Sequence, residues 1–355
     1  MTKRTAANRH LSHRRAISNE EILAQVQVLL DGPDDNLTAI LLKEMLLGTL
    51  KLKDSHLETL DLKILNRTLK ELRLAFRMFQ PYRHRPKVSL FGSARTPPDD
   101  PNYELARRFA NLLVRHGYMV ITGGADGIMR AGHEGAGREN SFGVNIMLPF
   151  EQGPNEVIAD DPKLFTFRYF FTRKLLFVKE SHAAALFPGG FGTHDEAFEL
   201  LTLVQTGKTN PQPIVFLQAP GTDYWGPWYA FVTDQLLARG LIGKEDLCLF
   251  KMFESAEAAV EEIIGFYRNF HSIRFVGRQL VIRIKHPLAE EPLARINMEF
   301  SDVLERGIIE QRGPLPEELD ESALKDLPRL VFHYNRRSAG RLRQLIDQIN
   351  ASPTG

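Results

Sequence analysis

Cysteine is almost absent from this 355-residue chain. Cys248 stands alone, so no internal disulfide framework exists. It lies in the apolar run "LCLF" and is read as a buried, inert thiol. Net charge is nearly missing too: 45 Lys and Arg oppose 44 Asp and Glu, a formal +1, so no global field points toward nucleic acid or a membrane surface. No apolar run approaches the roughly 18 residues that a membrane span needs. The basic start "MTKRTAANRHLSHRRA" lacks the apolar stretch of a secretory signal and is read as a solvated disordered arm, 1–17. The expectation is a soluble, cytoplasmic protein with no membrane partner.

Several motifs are missing as well. A P-loop needs G-x-x-x-x-G-K-[ST], but "GKT" at 207–209 has Thr202 where the first glycine belongs, and it ends a helix instead of opening one. A dinucleotide fingerprint needs G-x-G-x-x-G, and "GFGTHD" ends in Asp195. "HEGAG" at 133–137 is not H-E-x-x-H, and no other His/Cys/Asp group has metal spacing; His133 is read as a helix-surface residue. Nothing specifies a pyridoxal-phosphate lysine with its partners. No cofactor and no metal are expected.

What is present is ordinary globular composition, 43% hydrophobic and 25% charged, and a change of grammar along the chain. Residues 18–85 read as a helical extension. "SNEEILAQVQVLL" opens with Ser18 and has Glu21 three positions on, a capping box, and the segments at 36–50 and 57–79 carry apolar residues at helical spacing. "PYRHRP" at 81–86 breaks that pattern. From 86 to 270 short apolar strands alternate with helices: strands at 87–91, 118–122, 143–149, 182–187, 213–217 and 247–253, with helices at 103–117, 127–138, within 165–181, to about 206, near 226–239 and at 255–270. Such alternation implies right-handed βαβ units and a parallel sheet flanked by helices. Residues 271–355 form a small α/β appendage: strand-like "RQLVIRIKHP", helical "LARINMEFSDVLERG", strand-like "PRLVFHYN" and a basic-faced helix "RRSAGRLRQLIDQIN".

In an open parallel sheet, ligands bind beyond the carboxyl ends of the strands, where strand order reverses. Three glycine-bearing turns fall at that edge: "FGSART" with Gly92 and Ser93, "TGGADGIM" with Gly123 and Gly124, and "PGGFGTHDE" with Gly189, Gly190, Gly192 and Thr193. Glycines before a helix start let free N–H groups approach an anion closely, and the hydroxyls of Thr193 and Ser93 add donors, so these turns are candidates for holding a phosphate. Glu196 follows on the first helical turn, with Glu199 three residues later on the same face. A carboxylate beside a phosphate is costly unless it meets a sugar hydroxyl or a cationic transition state. Arg173 and Lys174 in "FFTRKLLF" supply balancing charge, and one of them is expected at a pocket rim.

"PGGFGTHDE" matches P-G-G-x-G-T-x-x-E, and "TRK" precedes it by 13 residues. Together with "TGGADGIM", these motifs resemble the LOG (Lonely Guy) family of nucleoside 5′-monophosphate phosphoribohydrolases, often labelled lysine decarboxylases. The resemblance covers about residues 86–270. It implies a Rossmann-like fold, a homo-oligomer (dimer or larger) and hydrolysis of the N-glycosidic bond of a nucleoside monophosphate to free base and ribose 5-phosphate. By position it implies Arg173 and Glu196 as the catalytic pair, with Gly189, Gly190, Gly192 and Thr193 holding the 5′-phosphate. The chain departs from the short members at Phe170 and Phe171 before Arg-Lys, at Ala125 and at Arg130. Two other readings stand beside it: a non-catalytic nucleotide or molybdenum-cofactor carrier that uses the same loop, and a DNA-processing protein of related fold, suggested by the basic arm and opposed by the near-zero net charge.

Overall fold

The computed structural model describes residues 19–32, 36–148, 153–318 and 321–354; the basic arm and the Ser18 cap lie outside them. The chain divides into two compact units, Met1–Arg67 and Thr68–Gly355. In the first, α1 (Asn19–Asp31) and α2 (Leu37–Lys51) precede the start of α3 (Thr59–Phe79). Asn36 caps α2 by accepting from the Ala39 N–H at 2.9 Å. None of the residues of α2 is buried, and Leu41, Leu42, Met45, Leu47 and Leu50 are exposed.

The second unit is built on seven parallel strands: β1 (Lys87–Phe91), β2 (Met119–Thr122), β3 (Ser141–Ile146), β4 (Leu164–Phe167), β5 (Ala183–Leu186), β6 (Ile214–Leu217) and β7 (Lys251–Phe253). Their order is β4-β3-β2-β1-β5-β6-β7, so the winding reverses between β1 and β5, which pair through Val88↔Ala183 to Phe91↔Leu186. Alternate side chains on each strand face opposite layers. Val88, Leu90, Val120, Ala183, Ala185 and Val215 pack against α4 (Pro101–Arg115), α5 (Ile128–Ala136) and α9 (Ala256–Phe266). Phe91, Ile121, Val144, Leu186 and Phe216 pack against the end of α3, α6 (Phe170–Glu180), α7 (Phe191–Gln205) and α8 (Trp225–Phe231). None of the helices among the described residues is long and apolar enough to cross a membrane.

The sheet follows the expected series with three physical differences. The segment expected to hold only a helix begins with β4, because "LFTF" favours a pleated edge next to β3. The expected strand 247–253 shrinks to β7, because Asp246 accepts from the Gly243 N–H at 2.8 Å and winds Lys244–Leu249 into a 3-10 turn. Cys248 sits in that turn half-buried, accepting from Gln344 Nε2 at 2.9 Å, and is not the enclosed strand thiol its apolar neighbours suggest. "PYRHRP" is tied into the second unit, since the buried Lys87 Nζ donates to the Tyr82 and Arg85 carbonyls at 2.8 and 3.0 Å.

The appendage is an antiparallel sheet, β10-β11-β9-β8, from β8 (Phe270–Val276), β9 (Gln279–Ile284), β10 (Leu304–Arg312) and β11 (Arg329–Tyr334), covered by α10 (Glu290–Glu299) and α11 (Ala339–Ala351). The helix expected through 307 stops at Glu299, and its last residues enter β10. The basic face expected of α11 is largely neutralised: Arg343 is buried against Glu262 and Asp347, and Arg341 pairs with Asp302 at 2.7 Å.

One contact in the second unit bears on the site. Glu71 on α3 is 1% exposed; one carboxylate oxygen accepts from the Arg168 N–H at 2.8 Å and the other from Thr172 Oγ1 at 2.7 Å. It thereby anchors the first turn of α6, which carries "TRK". Glu71→Ala is expected to lower stability by about 1–3 kcal/mol, because the part-buried Arg168 N–H loses its acceptor and the Thr172 hydroxyl keeps only the Tyr169 carbonyl. A urea melt checks this, and a variant as stable as the parent would show that Glu71 does not hold α6.

Candidate functional site

At the reversal of strand order the three glycine turns interlock. The Ser93 N–H donates to the Pro188 carbonyl at 3.0 Å, and the Ser93 carbonyl accepts from the Ile128 N–H at 3.0 Å. Gly127, at φ +63°, has no room for a side chain, since a Cβ would lie 2.2 Å from the Ser93 oxygen. A Cβ on Gly189 would lie 2.1 Å from Thr193 Oγ1 and 2.9 Å from the Ser93 nitrogen. Tyr224 Oη donates to the Gly189 carbonyl and tethers the loop from the β6–α8 connection.

These turns enclose a cavity of about 1070 Å³, ample for a small-molecule ligand. It lies beyond the carboxyl ends of β1, β2, β3 and β5, the place parallel sheets reserve for ligands. Of the residues expected at the site, Gly92, Ser93, Gly123, Arg173, Gly189, Gly190, Gly192, Thr193 and Glu196 line it. Gly124, Lys174 and Glu199 do not. Gly124 is packed behind the second turn at φ +78°. Lys174 and Glu199 stand behind Glu196.

The cavity floor is the start of α7. Its N-cap is Gly190, which supplies no side-chain acceptor; the Thr193 and His194 N–H groups turn back to the Gly190 carbonyl, and those of Phe191 and Gly192 are left for a ligand. A Cβ on Gly190 or Gly192 would meet nothing within 4 Å, so the free space over this turn is real.

Glu196, one turn in, has a side chain only 4% exposed. Arg173 Nη2 lies 3.7 Å from its Oε1 and Lys174 Nζ lies 3.6 Å from its Oε2, distances of charge proximity, not hydrogen bonding. Among the described residues Oε1 finds no hydrogen-bond donor, although it is fully buried. Burial pushes the Glu196 carboxyl up to about 7, against the opposing pull of Lys174 and then Arg173. Lys174 is itself clamped by Asp195 at 2.9 Å and by Glu199. Burial depresses its ammonium, but the contacts with Glu199 and Asp195 outweigh that and hold it above the usual lysine range. The Arg173 guanidinium stacks over Phe170 at 5.1 Å and Phe177 at 5.6 Å, and lies against Gly123, where a Cβ would come 3.9 Å from Nη1. Phe170 thus holds the arginine.

His133, expected on a helix surface, is fully buried. Its Nε2–H donates to the Phe142 carbonyl at 3.1 Å and its Nδ1 accepts from Asn155 Nδ2 at 3.1 Å; Asn155 Nδ2 also donates to the Ala125 carbonyl at 2.8 Å, and the Asn155 backbone N–H to the Gly124 carbonyl at 2.8 Å. Burial lowers its pKa, so the neutral ring serves as a pillar under the second turn. The helical period gives the angle of His133 but not which face meets β2. The sequence reading also missed Arg95, Met129, Asn145, Leu148, Phe191 and His194 on the cavity wall and Tyr224 behind it. A strand end or turn beside a recognised motif was the available signal for Arg95 and Asn145; Tyr224 carried none.

Residues 124–263 match the model of the family described as "possible lysine decarboxylase". The match lies within the stretch, about 86–270, whose motifs resemble the LOG family. The likeness to solved structures covers about half of the chain. TM1055 is 18% identical, with 50% of this chain and 98% of that one covered and a TM-score of 0.36. The molybdenum cofactor carrier protein of Chlamydomonas reinhardtii is 19% identical over 51% of this chain and 98% of its own, with a TM-score of 0.35. DNA processing protein A of Helicobacter pylori, described as binding single-stranded DNA, is 16% identical over 51% and 82%, also with a TM-score of 0.35. No curated protein matches the sequence.

The buried acid of the matched segment has a thermodynamic signature. A carboxyl held above its unfolded value binds more protons when folded, so stability falls as pH rises from about 4.5 through about 7. Glu196→Gln removes that loss. It is expected to be more stable than the parent by about 1–3 kcal/mol at pH 8 and to converge with it near pH 5. Thermal melts at the two pH values test this; a variant less stable at pH 8 would contradict it.

Proposed function

We propose that the protein hydrolyses the N-glycosidic bond of nucleoside 5′-monophosphates, releasing free base and ribose 5-phosphate. The observation that carries this reading is a buried carboxylate oxygen without a donor, one helical turn from an uncapped, glycine-lined helix start, in one cavity. The 5′-phosphate sits on the N–H groups of the α7 start with Thr193 and Ser93 as further donors, which brings the ribose toward Glu196. Cleavage proceeds through an oxocarbenium-like sugar. Ionised Glu196 stabilises that charge and takes a proton from the attacking water as its oxygen bonds to C1′. The electron pair of the broken C1′–N bond leaves with the base, which is then protonated. Arg173, stacked between Phe170 and Phe177, holds the orientation of Glu196 and faces the departing base.

Purified protein incubated with AMP, GMP, CMP, UMP and IMP is expected to release free base, and Glu196→Gln to lower kcat by at least about 100-fold. Because the ionised carboxylate acts, kcat/KM is expected to rise as pH passes through about 7. Hydrolysis undiminished in the variant, or a rate that falls over that range, would overturn the assignment. Saturable nucleotide binding with no base released would favour a carrier.

A further inference from the structure

The charge balance of the cavity leaves one cation over. Arg173 and Lys174 face Asp195, Glu196 and Glu199, so this inner wall carries a net charge of −1 when Glu196 is ionised and zero when it is protonated. A phosphate monoester brings about −1.5 to −2 at neutral pH, and a helix start answers only about half a charge. The two inner cations, already opposed by three carboxylates, cannot supply the remainder.

Arg95 can. It lines the same cavity, from the turn after β1, and among the described residues it forms no ion pair. Its backbone is fixed: the Arg95 N–H donates to Ser93 Oγ at 3.0 Å, and the preceding Ser93–Ala94 backbone is wedged where neither Gly127 nor Gly189 could carry a Cβ. The hydroxyl oxygen of Ser93 is therefore occupied as an acceptor and its O–H is free to donate. The side chain of Arg95 is exposed, so it is accessible to an incoming anion.

We propose that Arg95 is the counter-ion of the bound phosphate, engaging it through its forked guanidinium across the cavity from the α7 start and setting the preference for phosphorylated over unphosphorylated ligands. This rests on the phosphate cup of the preceding reading but not on catalysis. A planar fork suits two phosphate oxygens, whereas a lysine supplies only a point charge.

The test is equilibrium binding of AMP, ribose 5-phosphate and adenosine to the full chain and to Arg95→Ala and Arg95→Lys, at low and raised salt. Arg95→Ala is expected to weaken AMP and ribose 5-phosphate about 10- to 100-fold and to leave adenosine within about twofold. Arg95→Lys falls between, and the difference between parent and Arg95→Ala narrows at high salt, as expected for an exposed charge. The melting temperature serves as the folding control, since an exposed arginine without an ion pair contributes little to stability. AMP affinity unchanged in Arg95→Ala, or adenosine weakened as much as AMP, would overturn the proposal. AMP bound by the parent without base release would defeat the hydrolase reading while the Arg95 comparison still decides this one. Failure of the parent to bind either phosphorylated compound would end both.

Discussion

Three backbone turns that cannot separate form the framework of this protein's cavity. The Ser93 peptide is held on one side by the Pro188 carbonyl and on the other by the Ile128 N–H. Gly127 and Gly189 close against it with no space for even one methyl group. The strand ends on either side of the reversal are thereby locked in one relative position, and everything that faces the cavity inherits that precision. The first turn of α7, the serine hydroxyl and the arginine after it are placed by main-chain contacts and not by side-chain packing. The second turn has its own support in Asn155, which satisfies the Gly124 and Ala125 carbonyls from behind and is itself held by the neutral His133.

On that rigid frame sits an electrostatic arrangement that costs the fold something. Glu196 is desolvated, and its two cationic neighbours stop short of hydrogen-bonding distance. Lys174 is shared among three acids and Arg173 is drawn over two aromatic rings, so neither neutralises the carboxylate fully. The result is a carboxyl that burial pushes up to about 7, a perturbation of the kind functional sites carry.

Much of this was legible from residue order. β1 spans the residues expected, and the alternation of strands and helices gave the parallel sheet because fully buried strands and amphipathic helices have different periods. The resemblance carried by "TRK" and "PGGFGTHDE" paired Arg173 with Glu196, and the two side chains do lie 3.7 Å apart, both from helix starts on the same sheet edge. The rest depended on contacts that spacing cannot encode. Glu71 reaches Thr172 across 101 positions of sequence. His133 has the period of a surface residue and is enclosed because Phe142 and Asn155 happen to complete its hydrogen bonds. Lys174 has the same local signature as Arg173, yet three carboxylates draw it behind the wall. The four-residue β4 and the first residues of the nine-residue β10 were hidden inside longer apolar patterns whose helical halves dominated.

Gly190 and Gly192 stand apart from the other glycines of the cavity. Gly127 and Gly189 are demanded by neighbouring protein atoms, whereas at these two positions nothing in the chain would object to a larger residue. In a phosphate-binding loop their smallness would serve the guest and not the polypeptide, and a census of folding stability alone would pass over both without notice.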